Sequence, residues 1–136
     1  MIWLLDTNTI IYALKYQGGV RERINLAGLR GEQLVTSAVV AAELLYGAER
    51  SARRDENRKE VHKALSGIKP LPFTLAAAEH YARLKFHLAS KGKLKGRIDL
   101  LAAAAALDVG ATLVTHDGDF DPRDMPSDLK LDDWYG

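Results

Sequence analysis

The hydrophobic and polar positions of this chain alternate between short apolar runs and longer stretches with helical spacing. Ile2–Leu5 is an apolar run followed at once by Asp-Thr-Asn. That pattern predicts a buried strand and then a helix start, because Thr7 or Asn8 can cap the free backbone N–H groups. The helix continues over Thr9–Lys15 and is predicted to end before two consecutive glycines.

The rest of the chain repeats this alternation of strand and helix. The predicted strands are Gln33–Thr36, a short edge strand within Ile68–Phe73, Ala111–Thr115 and Leu129–Leu131. The further predicted helices are Val20–Leu29, a helix capped by Ser37, Arg53–Leu65, Leu75–Lys91 capped by Thr74, and a helix from Arg97 or Ile98 to near Gly110. The helix after Ser37 carries the apolar residues Val39, Val40, Leu44, Leu45 and Ala48. The helix after Thr74 has Ala78, Tyr81, Ala82, Leu84 and Leu88 on its apolar side.

Strands that alternate with helices favour βαβ units and a parallel sheet covered on both faces. We therefore predict an α/β protein, a three-layer α/β/α sandwich around a central, mostly parallel sheet. Its 136 residues fit one domain, residues 1–136, and no repeat or linker interrupts the pattern.

Composition narrows the class of protein further. The chain has no cysteine, which excludes disulfides and thiolate metal sites and suits a reducing compartment. The apolar start is cut short by Asp6, unlike a secretory signal, and the apolar run Leu100–Leu107 is too short to span a membrane. We expect a cytoplasmic protein that makes no membrane contact.

Two short segments concentrate positive charge although the net charge is only +1. One contains Lys91, Lys93, Lys95 and Arg97, and the other contains Arg50, Arg53, Arg54, Arg58 and Lys59. Both could be ordinary solvated surfaces. A basic rim around an acidic site would instead suit a polyanionic substrate.

Four acidic residues stand at positions that favour a shared site. Asp6 directly follows the first strand and Asp117 follows the strand Ala111–Val114, so both are expected at the carboxyl edge of the sheet. Glu43 and Asp99 lie among apolar residues, where a carboxylate needs a partner or a metal. Taken singly, Glu43 could be an exposed helix residue and Asp99 could favour the helix dipole.

Taken together, the acids fit a hard divalent cation. Mg²⁺ and Mn²⁺ prefer oxygen ligands, and Mg²⁺ commonly keeps several of its waters. Crowded carboxylates without a cation repel each other, which raises their pKa values. The sequence thus predicts a site that binds Mg²⁺ or Mn²⁺.

The same residues resemble the ordered motifs of the PIN-domain family. These motifs are Leu4-Leu5-Asp6-Thr7-Asn8, then Thr36-Ser37 with Glu43-Leu44 and Tyr46-Gly47, then Asp99-Leu100-Leu101-Ala102-Ala103, and finally Leu113-Val114-Thr115-His116-Asp117 with Asp119-Phe120. The closing Leu131-Asp132-Asp133-Trp134 resembles the tail of the VapC toxins within that family. Each motif alone is weak, but the set covers nearly the whole chain in the right order.

The resemblance implies a Mg²⁺- or Mn²⁺-dependent endoribonuclease, the toxin of a toxin–antitoxin pair, that cleaves a structured RNA such as a tRNA or rRNA loop. It also implies a homodimer and a small VapB-like antitoxin that covers the active site. Asp6, Glu43 and Asp99 match the family's three best-defined acids. Asp117 matches the fourth, and Asp119 is a second candidate for that role and for metal binding.

The resemblance gives supporting roles to further residues. Thr7, Asn8 and Thr115 would orient the carboxylates by hydrogen bonds, although capping and strand termination explain them equally well. Lys91, Lys93, Lys95 and Arg97 would contact flanking RNA phosphates. His116 is not expected to act as a general base, and His62, His80 and His87 are expected at the surface.

Three other functions compete with this interpretation. A Mg²⁺-dependent phosphatase would keep a second acid two positions after Asp6, where this chain has Asn8. A receiver-like signalling domain would need a lysine after a late strand, where this chain has His116. A catalytically silent RNA-binding scaffold of the same fold would be expected to lose acids that this chain retains.

Overall fold

A computed structural model describes residues 1–93, 96–118 and 120–136. Its elements follow in the order β1 (Ile2–Leu5), α1 (Thr7–Leu14), α2 (Val20–Leu29), β2 (Gln33–Ser37), α3 (Ala38–Glu49), α4 (Arg54–Gly67), β3 (Lys69–Leu71), α5 (Leu75–Ser90), α6 (Arg97–Val109), β4 (Thr112–Val114) and β5 (Lys130–Asp132). The predicted order of strands and helices is confirmed.

The strands form one five-stranded sheet in the order β3-β2-β1-β4-β5. Each neighbouring pair is parallel, with Leu4 opposite Val35 on one side and Leu113 on the other. β1 is the central strand, and its residues Leu4 and Leu5 are completely buried. The predicted α/β fold is confirmed, and β3 lies at the edge, as its proline indicated.

The helix starts follow local capping chemistry with one correction. Ser37 and Thr74 cap α3 and α5 as predicted, accepting hydrogen bonds from the backbone N–H groups of Val39 and Ala77. For α1, however, the prediction of Thr7 or Asn8 is wrong. Asp6 is the cap, and its Oδ1 accepts a hydrogen bond from the Thr9 N–H at 2.8 Å.

One face of α5 also differs from the prediction. Ala82 is exposed, whereas Ala77 is 1% exposed and faces the core. An alanine side chain has so little apolar area that it hardly determines which face of the helix is buried. The larger Leu84 and Leu88 determine that face, and they are buried as predicted. Among the described residues, no helix has the length and hydropathy needed to cross a membrane.

Candidate active site

Asp6 lies at the point where β1 ends and α1 begins. Its carboxylate is 4% exposed and caps α1, so it is fixed by the helix that it starts. Burial raises the pKa of Asp6, and the nearby negative charge of Asp117 raises it further. Hydrogen bonds from Thr115 and Thr9 oppose part of that rise. Asp6 is therefore a desolvated carboxylate for which a cation would be a favourable neighbour.

Asp117 reaches the same place from the adjacent strand. β4 pairs with β1 so that Val114 stands opposite Leu5, and the Asp6 N–H donates to the Val114 carbonyl at 3.2 Å. The chain then turns at Thr115, whose hydroxyl accepts a hydrogen bond from the Asp117 N–H at 3.1 Å. The two acids predicted to share the carboxyl edge of the sheet do so.

Thr115 connects the Asp6 carboxylate to the backbone of Asp117. Its side chain is buried, hydrogen-bonds with Asp6 and receives the Asp117 backbone N–H. The orienting role predicted for Thr115 thus has a structural basis, and Thr115 is also the residue at which the chain leaves β4.

Glu43 is brought to the site through Thr7. The Thr7 hydroxyl, in the first turn of α1, lies 3.4 Å from Glu43 Oε2 in α3 and donates to it. Thr7 is buried and Glu43 is exposed. Asn8, which was also predicted to orient the carboxylates, is exposed. The Glu43 carboxylate therefore stands at the open side of the site, where water can reach it.

Asp99 lies in the first turn of α6 and is half-buried. Because α6 runs directly into β4 through Gly110, its last turn lies at the starting edge of the sheet. Its first turn therefore lies toward the opposite, carboxyl edge, where Asp6 and Asp117 stand. Asp99 Oδ2 would be only 3.3 Å from a Cβ at position 96, so Gly96 leaves room for this carboxylate.

The donor set suits a hard cation that keeps much of its water. No group of three or more acidic or histidine side chains is close enough to enclose a metal within residues 1–93, 96–118 and 120–136. A full protein cage is not required, since Mg²⁺ is usually held by one or two carboxylates together with waters and substrate phosphates. The buried Asp6 beside Asp117 meets that requirement. Asp119, the second candidate for the fourth acid, lies outside the described residues.

The two basic segments differ in their surroundings. In the segment that leads into α6 and ends at its first residue, Lys91, Lys93 and Arg97 are exposed, whereas Lys95 lies outside the described residues. The pKa of Asp121 is lowered to about 2, mainly by hydrogen bonds from Arg123. The positive charge of Lys93 makes a smaller contribution in the same direction. Lys93 is therefore close to the loop that follows Asp117.

The other basic segment is largely neutralised by its own helices. Arg54 and Arg58 both contact Glu49, and Arg53 pairs with Glu56 at 2.6 Å. This surface matches the interpretation of a solvated, internally paired face. Within the described part of the segment that leads into α6, Lys91, Lys93 and Arg97 are exposed cations, and Arg97 stands two positions before Asp99.

The histidines are mixed in exposure. His62 is exposed as predicted, but His80 and His87 are half-buried, and His87 Nε2 lies 3.1 Å from the Asp124 carbonyl oxygen. His116 Nδ1 lies 2.8 Å from Asp133 Oδ2, and its ring contacts two tyrosines. These aromatic neighbours, Tyr12 of α1 and Tyr135 near the C-terminus, were not predicted, because only folding brings them beside His116.

Residues 3–124 match the PIN domain family, and the chain therefore belongs to it. Within that family it is similar to VapC proteins. The tRNA(fMet)-specific endonuclease VapC of Shigella flexneri is 33% identical over 135 residues, covering 97% of each chain. Ribonuclease VapC2 of Rickettsia felis is 32% identical over 117 residues, covering 85% of this chain and 87% of that protein.

Solved structures give the same result for the whole fold. The Rickettsia felis VapBC2 complex, bound to a DNA fragment from its promoter, matches with a TM-score of 0.90 and 31% identity over 98% of this chain and 99% of that chain. The DNA-bound VapBC complex of Salmonella typhimurium matches with a TM-score of 0.85 and 30% identity over 98% of each chain. The predicted resemblance to the PIN-domain family and its VapC members is confirmed.

Proposed function

We propose that this chain is the ribonuclease toxin of a VapBC-type pair, a Mg²⁺- or Mn²⁺-dependent endoribonuclease that cuts a structured RNA. The observation that carries the proposal is the buried Asp6 carboxylate, held beside Asp117 by Thr115 at the carboxyl edge of the sheet. The names of the relatives support ribonuclease activity. The metal requirement rests on the chemistry of the acids.

Asp6, Asp99 and Asp117 would hold the cation, with Asp119 as a further candidate. When bound, it would lower the pKa of a water and offset the charge that grows on the scissile phosphate. Thr115 and the Thr9 N–H keep the Asp6 carboxylate oriented. The Glu43 carboxylate, oriented by Thr7, orients the attacking water or accepts its proton at an Oε atom. Attack by water leaves a 5′-phosphate and a 3′-hydroxyl.

The RNA substrate is proposed to be a loop of a tRNA or an rRNA. Bases in single-stranded loops can be read more easily than those in an A-form helix. The Shigella flexneri relative is named as specific for tRNA(fMet), which makes a tRNA loop the first substrate to test.

A VapB-like antitoxin is the proposed protein partner, since solved relatives are VapBC complexes. A groove of about 740 Å³ lies between α1, α2 and α4. Apolar side chains such as Leu14, Ile24 and Leu29 line it together with charged ones such as Arg21 and Glu60. The groove follows α1 away from Asp6, so a segment bound there could continue across the site. Leu29→Glu should weaken binding of the cognate antitoxin by at least about fivefold, whereas Leu75→Glu on α5 should not.

A homodimer is also proposed. Leu75 and Phe86 on α5 are 78% and 77% exposed, and such side chains can be covered by a second copy. Sedimentation equilibrium of the purified chain would measure this directly.

The activity is tested by incubating the partner-free protein with total RNA in Mg²⁺, Mn²⁺ or EDTA. Asp6→Asn should lower cleavage by at least about 100-fold, since changes to groups that only orient metal ligands already cost 10- to 100-fold. Asp55→Asn is the matched control, because Asp55 is an exposed acid in the first turn of α4.

Discrete fragments that disappear in EDTA and with Asp6→Asn, but not with Asp55→Asn, would support the proposal. RNA binding without cleavage would indicate a silent scaffold instead. Hydrolysis of a small phosphate ester without RNA cleavage would indicate a phosphatase. Equal cleavage by Asp6→Asn would identify a contaminating nuclease.

A further inference from the structure

Three aromatic rings meet next to the acidic site. The His116 ring stacks on Tyr135, with ring centroids 4.4 Å apart and an interplanar angle of 22°. Tyr12 of α1 packs its edge against both, with centroids 5.9 Å from His116 and 4.6 Å from Tyr135. We call these three residues the ring cluster. His116 directly precedes Asp117, so the ring cluster borders the proposed site of cleavage.

The ring cluster is held firmly by the C-terminal tail. His116 Nδ1 lies 2.8 Å from the Asp133 carboxylate, which fixes the plane of the imidazole. Behind Tyr135, a Cβ at position 18 would lie only 2.3 Å from the ring, so Gly18 allows the tail to approach the turn between α1 and α2. The Gly136 N–H then donates to the Gly18 carbonyl at 2.8 Å. The ring cluster is therefore preorganised in the absence of any ligand.

His116 keeps a surface available to a ligand. Its side chain is 41% exposed although Tyr135 covers one face of the ring. Tyr12 meets the ring at an angle of 78° and Asp133 holds Nδ1, so the exposed part is the ring surface that these three neighbours leave uncovered. A planar group that approached the acids could continue the stack that Tyr135 and His116 begin.

We propose that His116 is a stacking platform for a nucleobase next to the scissile phosphate of the RNA. This inference rests on the proposed function and gives His116 a substrate-binding role rather than that of a base. Aromatic side chains stack on bases of single-stranded RNA, and each such stack contributes enough to change binding roughly 5- to 100-fold. Stacking here would hold an unpaired base and place the adjoining phosphate at Asp6 and Asp117.

A structural role for the ring cluster predicts something different. If the rings only hold the tail on α1, removing His116 should lower stability and affect every substrate equally. The structural role and the substrate-binding role are distinguished by removing the two stacking partners, the ring of His116 and the base of the RNA, first singly and then together.

The experiment uses the full chain and an RNA oligonucleotide that spans the cut mapped with total RNA. Single abasic nucleotides replace each position beside that cut. Values of kcat and KM are measured for the wild type, His116→Ala and His116→Phe, and thermal melting checks that each variant folds. Phenylalanine keeps a ring that can stack but has no nitrogen.

His116→Ala should reduce kcat/KM on intact RNA by roughly 5- to 100-fold, mainly through KM, and His116→Phe should restore most of it. One abasic position should cost the wild type a similar factor and cost His116→Ala almost nothing. If the two losses multiply at every position, or if His116→Phe is as poor as His116→Ala, the platform is rejected while the nuclease stands. If the wild type cuts no RNA, the proposed function itself fails, and the platform with it.

Discussion

At the scale of single residues, Asp6 combines two roles that oppose each other in energy. Its side chain caps α1, which stabilises the fold, yet burial and the charge of Asp117 raise its pKa. An ionised Asp6 is therefore retained at a cost to stability, a pattern common where carboxylates are collected for chemistry. That cost can be measured.

Asp6→Asn should increase the free energy of unfolding at neutral pH. Asparagine caps a helix about as well as aspartate but carries no charge. Because the pKa of Asp6 is raised in the fold, wild-type stability falls as the pH rises from the unfolded value of 3.8 through the folded pKa. The gain from Asp6→Asn should thus be small below pH 3.8 and grow above it, as measured by urea denaturation across pH.

Asp121→Asn serves as a control of opposite sign. Arg123 lowers the pKa of Asp121 to about 2, so its ionised form contributes stability above the unfolded value of 3.8 and loses it as the pH falls toward 2. This variant should be slightly less stable at neutral pH, because the pair is exposed. If Asp6→Asn also lowers stability at neutral pH, the description of Asp6 as a strained, desolvated carboxylate is wrong.

The same pair of proteins tests metal binding without measuring activity. A metal at a hundred times its dissociation constant stabilises a folded protein by about 2.7 kcal/mol. Mg²⁺ or Mn²⁺ should raise the melting temperature of the wild type and of Asp121→Asn, but not that of Asp6→Asn. Equal shifts for all three would place the bound cation elsewhere.

At the scale of elements, the C-terminal tail consists of β5 and residues 133–136, and its Tyr135 packs against Tyr12 of α1. Trp134 is 4% exposed and packs its ring edge against Trp3, with centroids 5.2 Å apart. Tyr135 occupies the space beside Gly18. The tail therefore depends on a glycine about 117 positions earlier in the chain.

Gly18→Ala should destabilise the fold by about 2–3 kcal/mol. Its φ of 65° already disfavours a side chain by about 1–2 kcal/mol, and the new Cβ would also meet the Tyr135 ring. Gly31→Ala is the matched control, since φ is 72° there and no atom lies within 4 Å of a new Cβ. It should show the backbone cost alone.

Urea denaturation measures both variants, and digestion by a carboxypeptidase measures release of the tail. The tail of Gly18→Ala should be trimmed faster than that of Gly31→Ala. Equal stability losses and equal rates of trimming would mean that Tyr135 does not depend on close approach to α1.

Local signals account for what could be predicted from the sequence. The caps Ser37 and Thr74 follow from residues within a few positions of each other, and the parallel pairing of the strands follows from simple rules of connection. The same rules placed Asp6 and Asp117 at one edge of the sheet. The cap of α1 was assigned one or two residues too late, since Asp6 both follows the strand directly and starts the helix.

Contacts between distant segments could not be predicted in this way. Thr7 meets Glu43 across two helices, and the ring cluster joins positions 12, 116 and 135. No periodicity in the sequence links such positions, because their side chains become neighbours only through packing. The family resemblance supplied the acid Glu43, but it gave no indication of Tyr12 or Tyr135.

At the scale of the whole molecule, charge is distributed unevenly even though the net charge is +1. The arginines near the start of α4 are paired with Glu49 and Glu56. The cations Lys91, Lys93 and Arg97 are exposed, and Arg97 is the first residue of the helix that carries Asp99. A polyanion guided by this field would meet the second group beside the acids.

Replacing Lys91, Lys93, Lys95 and Arg97 by glutamine should therefore weaken RNA binding at low salt and flatten its salt dependence. Each phosphate contact to single-stranded RNA contributes a slope of about 0.7 in log K against log salt, so the slope should fall by up to about 3. Binding is measured in the Asp6→Asn background, where cleavage does not interfere, by fluorescence anisotropy over a range of salt concentrations.

The matched control replaces Arg50, Arg53, Arg54 and Arg58 by glutamine and so removes the same amount of positive charge. If net charge alone attracts RNA, both variants should lose the same slope. If the segment that leads into α6 contacts phosphates, only its variant should lose slope, because three of the four cations that the control removes, Arg53, Arg54 and Arg58, are already paired with acids. An unchanged slope in the first variant would reject the RNA-binding role of this segment while leaving the acidic site unaffected.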